Sequence, residues 1–357
     1  TFLAGDSTFK TVTGTTINTN ADNRVITGSD TANTLNGESS LTFDGSILSV
    51  NSVNVGKGAN SAEGNTVLGE TALDAITTGT LNTAIGKNAL TDLTTGTRNV
   101  AVGKDAGGNI STGDDNVVVG QGALSTLTTG DQNTAVGKGS LTLATTSSNN
   151  TAIGYDALNA NTTGHSNTAV GALALDAAST ANDNSAFGYN ALGANTTGVD
   201  NNAFGSNTLD ANTTGHRNNA FGFQALTSNT TADDNTAFGN KALEATTTGS
   251  DNTAVGSFAL TDNTDGVRNT AVGYKALETP TSATDNTAVG FEALEDNTTG
   301  SLNTAVGSYA GSKTTTGSNN TSLGVNALYN NTTASNNTAV GRDALENNTT
   351  GTQNTVV

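Results

Sequence analysis

The chain of 357 residues has no cysteine, methionine or tryptophan, and its single proline is Pro280. Without cysteine there is no disulfide framework, cysteine-based zinc site or thiol nucleophile. No apolar run approaches the roughly 20 residues of a transmembrane helix, so we expect no membrane insertion. Charged residues are only 12% of the chain. Since disordered chains are usually rich in charge and proline, a regular repeat explains this composition better.

Basic residues are also scarce. The chain has 13 basic and 31 acidic residues, for a net charge of −18. No basic cluster is present, which argues against nucleic acid as a partner and disfavours anionic membrane surfaces. We interpret the dispersed negative charge as a contribution to solubility.

What the chain does contain is a repeat with the consensus N-T-A-V-G-x-x-A-L-x-x-N-T-T-G-x-x. Its first glycine recurs every 17 residues, from Gly69 to Gly341. We number the repeat positions 1 to 17 from the first Asn. A period held without insertion means that each copy makes the same contacts with its neighbours. Seventeen residues suit one coil of an all-β, parallel β-solenoid (β-roll), and this is the predicted fold.

Within each coil, the pattern predicts a strand at positions 1–4, a second at 7–10 and a short third at 12–14. Glycine at position 5, and usually at position 15, predicts corners where the chain turns or adopts positive φ. Pro280, at position 12, falls at the edge of such a corner.

The predicted domains are a small N-terminal β region at 1–50, an irregular lead-in at 51–64, and about 17 coils at 65–357. In the first, residues 24–27, 40–43 and 46–50 are predicted strands, with a turn at Asp44-Gly45. The chain begins at Thr1 without Met and ends inside a repeat motif. We therefore expect a fragment or processed product, truncated at the C-terminus.

Two polar columns run through the repeat. Position 1 is always Asn and position 13 is always Thr or Ser. Stacked amides, and more weakly stacked hydroxyls, can form hydrogen-bonded ladders along the coils. A binding row is the alternative, but invariance in all copies favours ladders that set register. The predicted ladder residues include Asn65, Asn82, Asn99, Asn133, Thr77, Thr94 and Thr162.

Apolar residues recur at positions 3, 4, 8 and 9. Because neighbouring strand residues point to opposite faces, both predicted strands would be apolar on both faces and need cover on both. We therefore predict a homo-oligomer, most simply a homotrimer. The four Phe residues at position 4 could line a ligand pocket, but a stacked aromatic core is the simpler interpretation. Predicted core or interface residues are Leu73, Leu90, Phe187, Phe204, Phe221 and Phe238.

Chemistry-bearing clusters are not evident. His165 and His216 both occupy position 16 three coils apart, too distant to share a metal. The pairs Asp114-Asp115 and Asp233-Asp234 lack calcium-loop spacing. We predict no catalytic residues, cofactor or metal, and no enzyme. Position 6 carries aromatic residues that could stack on sugar rings, so Tyr155, Tyr189 and Tyr274 are candidate contacts for a host-surface glycan. The simpler interpretation is a solvated position, since isolated surface aromatics are common without a function.

The repeat N-T-A-V-G-x-x-A-L resembles head repeats of trimeric autotransporter adhesins, which carry an N-S-x-A-I-G-like strand. It resembles the Asn/Thr/Gly-rich repeats of bacteriophage tail fibres more closely. Segments 21–28, 31–38 and 41–45 are similar to tail-fibre-like proteins of marine and cyanobacterial phages. Together the resemblance covers nearly the whole chain. The adhesins imply a left-handed β-roll, and the fibres imply virion partners and a receptor-binding tip.

The leading hypothesis is a structural shaft of a phage tail fibre or similar virion appendage, a rigid spacer that presents a host-receptor-binding tip. The alternative is a bacterial surface adhesin or extracellular filament. Expected locations are therefore the virion or the cell surface. A third hypothesis is an ice-binding solenoid. It needs outward Thr in alternating positions of a flat face, whereas positions 13 and 14 are adjacent.

Overall fold

The computed structural model describes residues 2–3, 9–10, 16–18, 24–28, 34–43 and 47–357, and it describes burial from residue 48 onward, Ser61 excepted. The chain divides into two compact units, Thr1–Asp131 and Gln132–Val357. In the described ranges the regular structure is β-strand, with one short 3-10 segment at Ala59–Ser61. None of the described segments is a helix long and apolar enough to cross a membrane.

The first unit starts with seven strands that precede the coils. β1 and β2 pair with each other antiparallel, and β3 runs parallel to β5. β4 to β7 pair antiparallel in sequence order, and β7 pairs antiparallel with Thr66–Gly69, the strand of the first coil. Their bounds are β1 Phe2–Leu3, β2 Phe9–Lys10, β3 Thr16–Asn18, β4 Arg24–Gly28, β5 Thr34–Phe43, β6 Ile47–Val50 and β7 Val53–Gly56.

These strands bear on three sequence predictions. Strands do form at the three predicted places, although β5 is ten residues long. The predicted turn at Asp44-Gly45 lies outside the described residues. Segment 51–64, predicted to be irregular, contains β7 and the 3-10 segment.

Within each unit, every coil contributes one short strand, which pairs in parallel with the strand 17 residues later in the same unit. In the first unit these are β8 Thr66–Gly69, β9 Thr83–Ile85, β10 Val100–Val102 and β11 Val117–Val119. The second unit holds β12 Thr134–Val136, β13 Thr151–Ile153, β14 Thr168–Val170, β15 Ser185–Phe187, β16 Asn202–Phe204, β17 Asn219–Phe221, β18 Thr236–Phe238, β19 Thr253–Val255, β20 Thr270–Val272, β21 Thr287–Val289, β22 Thr304–Val306, β23 Thr321–Leu323, β24 Thr338–Val340 and β25 Thr355–Val356. The predicted parallel β-solenoid of 17-residue coils is confirmed.

The second and third strands predicted for each coil are wrong. Positions 7 to 14 form turns and bends, although their backbone still bonds to the next coil. For example, the Leu226 N–H donates to the Ala242 carbonyl at 3.0 Å, and the Thr230 N–H donates to the Thr247 carbonyl at 3.1 Å. The coils are thus hydrogen-bonded around much of their circumference, without extended backbone.

Left-handed backbone explains this difference. Positions 7 and 9 have positive φ, as at Gln224 (55°) and Leu226 (52°), and such residues cannot continue a strand. A left-handed conformation costs a non-glycine residue roughly 1–2 kcal/mol. Burial of the position-9 leucine, worth roughly 1.5–3 kcal/mol, offsets that cost. Glycine replaces this leucine only at Gly107 and Gly311, where φ is also positive.

Glycine at position 5 meets its predicted role, because φ there is near 140° in most coils. At position 15 the chain turns as predicted, after bends at positions 13 and 14, but it does so without positive φ. Gly215, for example, lies outside the left-handed region, and alanine takes this position at Ala181, Ala232, Ala283 and Ala334. Position 15 is buried, so only a residue with a small side chain fits there.

The core lies inside the coils. Position 3 points inward from each strand, between two outward positions, and positions 8, 9 and 12 complete the interior. Ala225 and Leu226, adjacent in sequence, are both fully buried. The expectation that positions 8 and 9 face opposite sides is therefore wrong. Of the predicted strands in each coil only the first forms, and it carries an apolar residue on its outer face at position 4.

Candidate functional site

The Asn column at position 1 is an internal ladder within each unit. In the second unit, Oδ1 of Asn201 accepts from the Asn218 backbone N–H at 3.0 Å and from its side-chain amide at 3.2 Å. Asn218 Nδ2 also donates to the Ala232 carbonyl at 2.8 Å. The predicted ladder residues Asn65, Asn82, Asn99 and Asn133 follow the same pattern, since each side-chain amide donates to the carbonyl at position 15. The Oδ1 atoms of Asn65, Asn82 and Asn133 also accept from the backbone N–H of the Asn in the next coil. The column is buried, which leaves it inaccessible as a binding row.

The Thr column at position 13 also connects coils, but in a different way. In most coils the hydroxyl donates to the main-chain carbonyl of the next coil instead of to the next hydroxyl. Thr77 donates to Thr94 at 2.9 Å, Thr94 to Ser111 at 2.9 Å and Thr162 to Ser179 at 2.9 Å. These hydroxyls are used in holding the coils in register.

A third column, at position 12, was missed by the sequence analysis. Asn212 Nδ2 donates to Asn195 Oδ1, and Asn229 Nδ2 donates to Asn212 Oδ1, both at 2.9 Å. The ladder stops wherever the next coil lacks Asn at this position. There the buried oxygen has no partner, as at Asn161, Asn229, Asn263 and Asn297. The recurrence of Asn at position 12 from Asn161 onward, interrupted by Ala, Thr and Pro280, was the available sequence signal.

Position 4 forms an apolar row on the outside of the coils. Phe238 is 56% exposed, Val255 37% and Val306 41%. Phe187, Phe204 and Phe221 stack with ring centroids 4.6 Å apart, and Phe238 continues the stack at 5.5 Å. The predicted stacking is therefore correct, but placing these rings in a core is wrong for this chain. Leu73 and Leu90 are in the core, fully buried.

The three tyrosines proposed as glycan contacts are all on the surface. Tyr155, Tyr189 and Tyr274 are 52%, 55% and 41% exposed. Tyr155 lies beneath the Lys138 ammonium, 6.0 Å from the ring centroid. Only Tyr274 belongs to a larger aromatic group, so the structure does not bring the three together.

That larger group, which we call the aromatic row, consists of Phe258, Tyr274, Phe291, Tyr309 and Tyr329. Successive ring centroids are 6.1, 5.4, 5.3 and 6.1 Å apart. Its members come from repeat positions 7, 6, 6, 7 and 10. A search down any single repeat position therefore misses it. The rings are half-buried or exposed.

At one end of the aromatic row is a cleft of about 240 Å³, lined by Tyr309, Asn326, Tyr329 and Glu346. The Asn326 amide donates to Asp343 Oδ1 at 3.0 Å. Among the described residues, no cation pairs with the Glu346 carboxylate. The cleft thus combines two ring faces with an amide and an uncompensated carboxylate.

A cleft of about 400 Å³ occupies the same repeat positions in the first unit, but its lining is polar and acidic. It includes Asp74, Asp92, Asp105 and Asn88. The Asn88 amide donates to Asp105 Oδ1 at 2.7 Å, and this bond lowers the pKa of Asp105. Over the described part of the chain, no group of three or more His, Asp or Glu side chains could hold a metal ion.

The histidines and Asp pairs take part in contacts between coils. His216 Nδ1 accepts from the Val199 backbone N–H at 3.0 Å, and the backbone N–H of His216 donates to Asp233 Oδ1 at 2.7 Å. His165 donates its backbone N–H to Asn182 Oδ1 at 2.9 Å. Arg217 forms a bidentate pair with Asp234, which lowers the pKa of that carboxyl. Arg98–Asp115 and Arg268–Asp285 repeat the arrangement.

Among the described residues, the outer row at position 4 and the aromatic row with its cleft are two surface features that expose apolar groups for binding. Both are surface features, and the buried columns serve the fold. Comparison of the chain with protein-family models, curated proteins and solved structures finds no match.

Proposed function

We propose that this chain is the structural shaft of a phage tail fibre or similar virion appendage, a rigid spacer and not an enzyme. The observation that carries the proposal is the in-register pairing of strands β12 to β25 in the second unit. Each coil bonds to the next through strand, Asn amide and Thr hydroxyl at once. Such redundancy resists bending more than a single ladder would, as a spacer requires.

The outer row at position 4 supports self-association, with a homotrimer as the proposed state. Exposed apolar residues in a continuous row indicate an interaction surface. Other fibre or virion proteins, including a receptor-binding tip, are the further proposed partners. The interior of each coil is already filled, so the outer row alone drives this association.

A bacterial surface adhesin or extracellular filament is the second candidate. The aromatic row supports it, because an adhesin binds its target through surface side chains of this kind. Ice binding is the third. The position-13 hydroxyls donate to carbonyls of the next coil, which counts against their use in binding ice. Positions 2 and 4 do point outward in alternation, as Thr253 and Val255 show, and this favours the candidate. A thermal-hysteresis assay without activity would remove this candidate.

Immunogold electron microscopy with antibodies against the second unit tests the leading proposal. Label along appendages of purified virions is expected. Label on bacterial cell surfaces and none on virions would favour the adhesin instead. With coils spaced about 4.8 Å apart, the fourteen strands of the second unit should span about 60 Å of an appendage.

A further inference from the structure

The aromatic row makes little contribution to the solenoid core. Tyr274 and Phe291 are 41% and 42% exposed. The core behind them is already filled by alanines and leucines such as Ala276 and Leu277, which are fully buried. Large aromatic side chains held in mutual contact at the surface leave apolar area in water. This arrangement is typical of a binding surface.

The direction of the row sets the shape of its ligand. Its five members lie in five consecutive coils. At a coil spacing of about 4.8 Å, four steps cover about 19 Å along the stack. A ligand that contacts the whole row is therefore extended, and longer than one small ring.

The polar groups at the end of the row set the chemistry of the ligand. Glu346 offers a carboxylate that accepts hydrogen bonds, Asn326 offers an amide, and Tyr309 and Tyr329 offer hydroxyls. Asp343 adds negative charge beside Asn326. Two lysines lie beside the row, Lys275 at Tyr274 and Lys313 near Tyr329, but they pair with Glu278 and Asp296 at 2.9 and 2.8 Å. The unpaired carboxylate of Glu346 therefore disfavours a phosphate-bearing or acidic polymer at this end of the row. A neutral molecule with many hydroxyls and flat C–H faces fits both the rings and the carboxylate.

We propose that the aromatic row and its cleft bind a neutral saccharide chain, whose sugar rings stack on the aromatic faces while the cleft holds one end. The proposal deepens the fibre function and rests on it for the placement of the chain outside a cell. A failure of saccharide binding would leave the shaft function standing. Conversely, label missing from virions would not affect binding measured on the purified chain.

The test uses the full chain on a printed array of bacterial and animal glycans, followed by calorimetry with maltohexaose, cellohexaose and chitohexaose. We expect at least one neutral glycan to bind. Tyr309→Ala and Tyr329→Ala should each weaken that binding about tenfold, which corresponds to about 1.4 kcal/mol. Glu346→Gln should weaken it by a smaller factor, since the amide keeps an acceptor oxygen.

Tyr155→Ala and Tyr189→Ala are the matched controls, because they remove exposed tyrosines outside the aromatic row. Each should change the affinity less than twofold. Circular dichroism and thermal melting confirm that every variant is folded. The proposal is overturned if no glycan binds, or if all four tyrosine variants weaken binding equally. It is also overturned if Tyr309→Ala alters only the self-association measured by sedimentation.

Discussion

The Asn229 side-chain amide donates to Asn212 Oδ1 at 2.9 Å, whereas the Oδ1 of Asn229 is buried without a partner. The next coil explains the difference, because it carries Thr246 where the ladder needs a further Asn. The Thr246 hydroxyl is itself buried without a partner. One substitution could therefore resolve two defects.

Thr246→Asn should stabilise the second unit by about 1 kcal/mol, because the new amide can donate to Asn229 Oδ1 and extend the ladder. Hydrogen exchange of the neighbouring coils measures this locally, which suits a repeat array better than one global transition. Thr248→Asn, exposed in the same coil, should change little. Unchanged or faster exchange in Thr246→Asn would contradict the ladder argument.

Gly222→Ala should be far more damaging than Gly215→Ala. At Gly222, φ is 137° and an added Cβ would lie 2.3 Å from the next coil's Gly239 carbonyl oxygen. At Gly215 the corresponding distance is 2.4 Å, but φ is outside the left-handed region and alanine occupies this position in other coils. We expect a loss of several kcal/mol, roughly 3 or more, for Gly222→Ala and about 1 for Gly215→Ala. Denaturant titration compares the two variants, and equal losses would refute the φ argument.

Asp176→Asn should stabilise the chain near neutral pH. Burial raises the pKa of the Asp176 carboxyl, and the charges of Asp156 and Asp210 raise it further. A raised carboxyl pKa means that the charged form is disfavoured in the fold. The contribution of Asp176 to stability is therefore fully present below the unfolded pKa of about 3.9, and it is lost as the pH rises through the folded pKa.

The gain from Asp176→Asn should be no more than about 1 kcal/mol, since solvent screens a half-buried group. It should disappear at acidic pH, where the wild-type carboxyl is protonated. Melting curves across pH measure the difference. Asp183→Asn, at an exposed position, is the control and should show a smaller effect. A gain that persists unchanged at low pH would show that charge is not its cause.

The outer row should mediate self-association. Sedimentation should give a mass three times the 35.4 kDa of one chain. Phe238→Asp places a charge at the most exposed ring of the Phe stack and should shift the population toward monomer. Thr248→Asp, at an exposed position 14, should leave the mass unchanged. A wild-type chain that stays monomeric at all concentrations would contradict the trimer.

Much of the fold could be predicted from the repeat. A fixed period with invariant Asn predicted parallel coils in register, and Asn201 and Asn218 show the expected amide ladder. The strand count failed because the alternation rule assumes extended backbone. Ala225 and Leu226 are both buried because φ at Leu226 is positive, and propensity does not predict that for a leucine.

The candidate site was less predictable for a related reason. Tyr309 and Tyr329 are 20 residues apart and occupy different repeat positions, but their rings are 6.1 Å apart. Tyr155 and Tyr189 share a repeat position but are two coils apart, so their rings are not neighbours. Tyr309 at position 7 contacts rings at positions 6 and 10 of the adjacent coils, and the repeat pattern alone does not show that these positions are neighbours in space.

The sequence by itself determined the 17-residue period, the parallel stacking and the buried Asn column, because identical residues in identical coils must satisfy one another. Only the tertiary structure decided which residues face outward, that each coil has one strand, and which aromatic rings meet. The physical reason is that left-handed backbone at non-glycine positions is stabilised by burial and coil-to-coil hydrogen bonds. Both arise only once neighbouring coils are in place.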